Sequence, residues 1–227
     1  QNTLKNYADV LIKFALNNCR GIKKGDVVLL QVPECAKPML IALRRAVLEA
    51  GGHPIIQYLP DEVSREFFTL ANDKQLTFFP DKYLKGVIDQ VDHTVAIIAE
   101  TNKHELEGID AKKIMKRSAS FKPYMQWREK KENKGKFTWT LALYGTPAMA
   151  KEAGLSLKAY WAEIIKACYL DVSKPLRKWK TIVGEIDRVK DNLNKIGLEK
   201  VRVEAPGTDI IVGLGKDRQW MGGSGRN

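Results

Sequence analysis

The run Val27-Val28-Leu29-Leu30-Gln31-Val32, closed by Pro33, constrains the fold more than any other stretch of the chain. Its apolar residues do not alternate with polar ones, which is the pattern of a strand buried on both faces inside a helix-covered parallel sheet. The next segment agrees. From about Ala36 to Ala50 the residues Met39, Leu40, Leu43, Val47 and Ala50 recur at helical steps, and Gly51-Gly52 supplies the stop. Pro54 to Leu59 then reads as a second strand. Strand, helix and strand with connections this short predict a parallel pair joined by a right-handed crossover.

The theme repeats along the chain. Leu4, Tyr7, Leu11, Ala15 and Cys19 mark one amphipathic helix from Leu4 to Cys19, ended by Gly21 and Gly25. Asp61 to Ala71 and Leu84 to Val91 read as helices, and Thr94 to Ala99 as another fully apolar strand. Asp110 to about Glu132 is helical but interrupted or kinked at Pro123, and Phe137 to Tyr144 is a fourth strand. The expected fold class is α/β: residues 26 to 144 form one mainly parallel, doubly wound sheet with helices on both faces. Beyond Thr146 come two helical stretches split by Pro175, the second ending at Gly197. Val201 to Glu204 and Thr208 to Gly213 flank the turn Ala205-Pro206-Gly207, a hairpin that begins a second, β-rich domain. The boundary is placed between 198 and 199, giving domains 1–198 and 199–227.

Composition bounds the class. Of 227 residues, 44% are apolar and 29% charged, so a packed core is expected and disorder excluded. Cys19, Cys35 and Cys168 form no CxxC pair, which fits thiols in a reducing cytosol, and no apolar run approaches the ~20 residues of a membrane span. The expected location is cytoplasmic. The formal charge of +11 raises an anionic partner as an alternative role, a basic α/β module for nucleic acid or an anionic ligand.

Nucleotide and metal motifs are absent. The sequence after the first strand, Val32-Pro33-Glu34-Cys35-Ala36-Lys37, lacks the glycines of a dinucleotide loop, and Gly213-Leu214-Gly215-Lys216-Asp217 lacks the spacing of a P-loop. His104-Glu105-Leu106-Glu107 starts like a zinc-protease helix, but Gly108 stands where the second histidine belongs. No two of His53, His93 and His104 share ligand spacing, so they are expected not to converge on a metal. Cys35 follows a strand without a recognisable histidine partner. Lys112 to Lys136 is dense in Lys and Arg around Phe121, Tyr124 and Trp127. That is either a nucleic-acid surface or a solvated helix pair with its aromatics turned inward. Asp209, Arg218, Trp220 and Arg226 gather near Gly222-Gly223-Ser224-Gly225, which reads equally as the approach to a site or as a linker.

Several segments taken in order resemble the thermophilic metallo-aminopeptidase family, of the aminopeptidase T and aminopeptidase S type. They are Tyr7 to Ile12, Gly21 to Val28, Leu43 to Gly52 with His53-Pro54, Trp139-Thr140-Leu141, Thr146 to Ala150, Ala153 to Ser156, and Tyr160 to Cys168. Gly207-Thr208-Asp209, Trp220 and Gly222 to Asn227 resemble the family's entry into its catalytic half. The resemblance implies a two-domain exopeptidase that removes N-terminal residues from peptides with two divalent metal ions, zinc or cobalt. It implies that the ligands are carboxylates and histidines of the C-terminal metal-binding domain, the first of them shortly after Asn227, with no catalytic or metal residue in this chain. The α/β part is then expected to wall the substrate chamber and support a homodimer, with Arg218 and Trp220 nearest the substrate. Peptides are the implied partner, with no specific nucleic acid and no membrane, and this chain alone is expected to be inactive.

Overall fold

The structure, a computed structural model, describes residues 2–221. Four parallel strands form the central sheet: β1 (Val27–Pro33), β2 (His53–Leu59), β3 (His93–Ile98) and β4 (Thr138–Leu143), in the order β2-β1-β3-β4. Every pair is parallel, with Leu30 opposite both Ile56 and Val95, and Ile97 opposite Ala142. The expected doubly wound α/β sheet is what the chain forms.

Helix α1 (Asn2–Val10) precedes the sheet and runs into a π-helical turn, Leu11–Ala15. The single helix expected to reach Cys19 therefore ends early. At Asn17, Asn18 and Cys19 the backbone turns left-handed, with φ of 53°, 54° and 60°. That reversal lets the Asn17 N–H reach Thr138 Oγ1 at 3.0 Å and the Ile22 N–H reach the Ile12 carbonyl at 3.0 Å. Tertiary bonds thus override a helical sequence stripe.

Helices α2 (Lys37–Glu49), α3 (Ser64–Leu70), α4 (Asp73–Thr77) and α5 (Asp81–Gln90) come next, then α6 (Ala111–Ser120) and α7 (Lys122–Asn133), separated at Phe121 just before Pro123. Helix α4 is not announced by hydrophobic period; Asn72 and Gln75 close a reciprocal capping box around its start. Last come α8 (Pro147–Glu152), α9 (Leu157–Ala167), α10 (Pro175–Ile196) and the antiparallel hairpin β5 (Lys200–Ala205) and β6 (Thr208–Gly213). Gly197 ends α10 with a φ of 64°, and Gly207 makes the hairpin turn with a φ of 74°.

The strand pleat sorts the core into two faces. One face carries Val28, Leu30, Val32, Val95, Ile97 and Ala142, fully packed by residues of α1, α2 and α9. The other carries Leu29 and Trp139, packed with Ile88, Val91, Phe137, Tyr124 and Trp127. Helices α5 and α7 cover this second face over its amino-terminal half.

Candidate functional site

In a sheet ordered β2-β1-β3-β4 the chain leaves β1 toward β2 and leaves β3 toward β4, in opposite directions, and ligands of open α/β sheets bind at the carboxyl ends flanking such a switch point. The groups found there are mostly acidic. The Cys35 N–H donates to Asp61 Oδ2 at 2.9 Å, the Asp61 N–H to Glu34 Oε2 at 3.4 Å, and the Tyr58 hydroxyl to the Glu34 carbonyl at 3.2 Å. Burial, and then the Asp61 carboxylate, push the Cys35 thiol up to about 11. A thiol so disfavoured as thiolate is a poor nucleophile. Across the crevice the Thr146 hydroxyl donates to the Glu100 carbonyl and accepts the Met149 N–H, capping α8. His104 is exposed, with Glu107 at 3.4 Å and Glu152 at 3.9 Å.

Among the described residues, the carboxyl-terminal half of the second sheet face is left largely exposed. Alternation along the paired strands puts Ile55, Gln57 and Leu59 of β2, Gln31 of β1, Ala96 and Ile98 of β3, and Leu141 and Leu143 of β4 on that side. Leu141 remains 51% exposed and Ile98 39%. Gln31 Nε2 donates to Gln57 Oε1 at 2.8 Å, so one polar pair crosses the apolar floor. Gln31, the lone polar residue of the apolar run, is the sequence signal for this floor.

Arg218 and Trp220 lie away from the sheet. Trp220 is held against the end of α10 by the Asn194 side chain, which accepts the Trp220 N–H at 2.7 Å and donates to its carbonyl at 3.0 Å. Both Arg218 and Trp220 line a cleft of about 710 Å³ between that helix end and the hairpin, together with Leu193, Lys200 and Leu214. Asn194 escapes sequence reasoning, since nothing local to a helical asparagine announces a partner 26 residues away. Asp209 pairs with Arg202 across the hairpin at 2.8 and 2.9 Å rather than with Arg218. Arg226 and Gly222 to Asn227 lie outside the described residues.

The histidines are spread out. His53 begins β2 and His93 begins β3, one residue earlier than the strand expected from Thr94, while His104 sits in the loop beyond β3. His93 is buried, with Nε2 at 2.9 Å from Asp26 Oδ2 and Nδ1 at 2.8 Å from Thr138 Oγ1. A carboxylate can only accept, so Nε2 donates to Asp26, while Nδ1 faces the Thr138 hydroxyl. No three His, Cys, Asp or Glu side chains among the described residues form a group able to hold a metal ion.

The aromatics of α7 turn inward. Trp127 packs on Phe79 with ring centroids 5.6 Å apart, and Tyr124 joins the core of the second face. Several cations of this segment are internal fasteners. Lys131 donates to the Ile88, Asp89 and Val91 carbonyls at the end of α5, and Arg128 stacks over Phe137 and Trp139.

Known proteins share this architecture. The chain is 22% identical to aminopeptidase AmpS of Bacillus subtilis over 99% of its own length and 56% of that protein's. It is 23% identical to aminopeptidase PepS of Streptococcus thermophilus, over 97% of this chain and 55% of the relative. The solved structure of wild-type AmpT from Thermus thermophilus superposes with a TM-score of 0.79 at 20% identity, covering 93% of this chain and 53% of that one. The chain therefore spans a little over half the length of these relatives. The thermophilic metalloprotease (M29) family model matches residues 1–227, and the chain belongs to that family.

Proposed function

We propose that this chain is the N-terminal α/β part of a metal-dependent aminopeptidase that removes N-terminal residues from peptides. The observation that carries the reading is the family match over residues 1–227, and relatives named as aminopeptidases support it. Because the described residues bring together no metal-binding group, they do not fit the metal centre, and no step of hydrolysis is derived from them. We place the two divalent ions, zinc or cobalt, and their ligands in the part of the relatives' length that this chain does not span.

On this reading the uncovered sheet face, with Leu141 and Ile98 on its floor and the Gln31–Gln57 amide pair across it, walls the substrate chamber. An apolar floor with one amide pair suits an extended peptide, whose side chains seek burial and whose backbone seeks donors and acceptors. Arg218 and Trp220, in the cleft beside the hairpin, are the residues of this chain nearest the substrate. The separate two-stranded sheet after Gly197 supports a boundary at 198/199. A homodimer and a cytoplasmic setting complete the proposal; among the described residues no helix is long and apolar enough to cross a membrane.

Release of p-nitroaniline from leucine p-nitroanilide tests this, with zinc or cobalt added, for this chain and for the polypeptide extended to the relatives' full length. Metal-dependent turnover is expected only from the longer protein. Turnover by residues 1–227 alone would place the site within them, and a folded, metal-loaded long protein without turnover would remove the aminopeptidase reading.

A further inference from the structure

The positive charge of this protein is concentrated. Between Ala111 and Lys136 stand ten Lys or Arg against two Glu, so helices α6 and α7 and the turn after them carry +8 of the chain's +11. Half of those cations are committed. Lys113 donates to the Phe68 carbonyl, Arg117 to that of Phe78, and Lys116 pairs with Asp73, while Arg128 and Lys131 fasten the second face of the core. The other five, Lys112, Lys122, Lys130, Lys134 and Lys136, are exposed, and their ammonium groups have no partner among the described residues.

Four of these five follow one another along α7 and its exit. Lys122, Lys130 and Lys134 are spaced by eight and then four residues, which at ~1.5 Å per residue sets them over ~18 Å of helix. Lys136 lies just beyond, and with Lys23 it borders a small polar cavity of about 140 Å³. The Asp26 and Asp92 carboxylates of that cavity are already engaged, by His93 and the Lys23 N–H and by the Val27 N–H. The row of cations therefore meets solvent unneutralised.

We propose that this row binds the phosphate backbone of nucleic acid without reading its sequence. The cations are lysines, compact point charges suited to phosphates, whereas the bidentate guanidiniums of Arg117 and Arg128 are stacked on aromatic rings. Bases find no stacking platform, because Phe121 and Trp127 pack against Phe79. A membrane surface is a poorer fit, since Met125 is the one large apolar side chain left exposed on α7. An acidic protein surface is disfavoured because its charges do not recur along a line as phosphates do. Charge and geometry alone make this surface, whether or not the chain belongs to a working aminopeptidase.

Fluorescence anisotropy of a labelled mixed-sequence 24-base-pair duplex, titrated with this chain from 50 to 200 mM salt, tests it. Contact of the four lysines with four phosphates gives a slope of log affinity against log salt of roughly −4. The triple variant Lys122→Glu, Lys130→Glu and Lys134→Glu is expected to lose at least tenfold in affinity and to flatten the slope by about 3. A charge-matched control, Lys158→Glu, Lys200→Glu and Lys216→Glu, is expected to retain most of both, with circular dichroism confirming that each variant folds. Equal losses in the two variants, or no binding at 50 mM salt, would overturn the proposal. So would displacement of the duplex by polyglutamate or by phosphatidylglycerol vesicles at matched charge, which would reassign the surface to another anionic partner.

Discussion

The amide of Asn194 clasps the backbone of Trp220, taking its N–H at 2.7 Å and giving a hydrogen bond to its carbonyl at 3.0 Å. One helical side chain thereby imitates the edge of a strand and fixes the chain that leaves the hairpin. Replacing Asn194 by Ala is expected to release Gly215 to Trp220 while lowering global stability by no more than about 1 kcal/mol, because the bonds are solvent-exposed. Amide hydrogen exchange checks it: the Trp220 amide should lose its protection while β1 keeps its own.

The hairpin itself is expected to be the least protected regular element. Two strands cannot bury a face alone, and Val203, Ile210 and Ile211 are 49%, 53% and 65% exposed. In native-state exchange, β5 and β6 should open with a free energy well below that of Leu30 in β1. Global-level protection of Ile210 in the monomeric chain would show that something covers the ribbon.

His93 bridges Asp26 and Thr138 at the amino ends of β1, β3 and β4, and Thr138 in turn holds the left-handed Asn17. Substitution of His93 by Ala removes one donor to Asp26 and the ring partner of the Thr138 hydroxyl and leaves a void, at a cost of about 2–3 kcal/mol in urea unfolding. Thr138→Val should cost less, about 1–2 kcal/mol, and the double variant less than the sum of the two. Additive effects would mean that the three groups do not act as one network.

Cys35 should be nearly inert. With its thiol pushed up to about 11 by burial and by Asp61, thiolate at neutral pH falls to the order of one part in ten thousand. Burial also raises Cys19 and Cys168. Mass-spectrometric mapping after iodoacetamide treatment at pH 7.5 should find all three slow in the folded chain and fast in urea, and Asp61→Asn should quicken Cys35 selectively.

Acid should loosen the packing of α1 through Asp9. Burial pushes this carboxyl up, but the ammoniums of Lys13 and Lys5 outweigh burial and hold it below the usual carboxylate value. The folded protein therefore binds fewer protons than the unfolded chain as pH drops. The stabilisation is fully present above the unfolded value of ~3.9 and is lost as pH falls through the lower, folded one. Melting temperature measured from pH 6 to 3 should fall less steeply for Asp9→Asn than for the native sequence.

Local pattern determined most of the fold. The apolar run at Val27 to Val32, the helical stripe through Met39 and Leu43, the stops at Gly51 and Gly197 and the turn at Pro206-Gly207 each depend on neighbours within a few positions, so hydrophobic period and backbone allowance suffice to read them. The helix expected to run on to Cys19 failed for the complementary reason. Its stripe is compatible with a helix, but the reversed turn at Asn17 gains a hydrogen bond to Thr138, 121 residues away, that a continued helix would forgo. Strand order, the face left open at Leu141 and Ile98, the burial of His93 and the clasp between Asn194 and Trp220 all join residues distant in sequence. The same is true of the lysines: one helix carries both Lys131, spent on three carbonyls, and Lys130, left to solvent, and only their neighbours in space distinguish them. Pairing over such separations is set by which surfaces bury each other, a property that no window of local sequence contains.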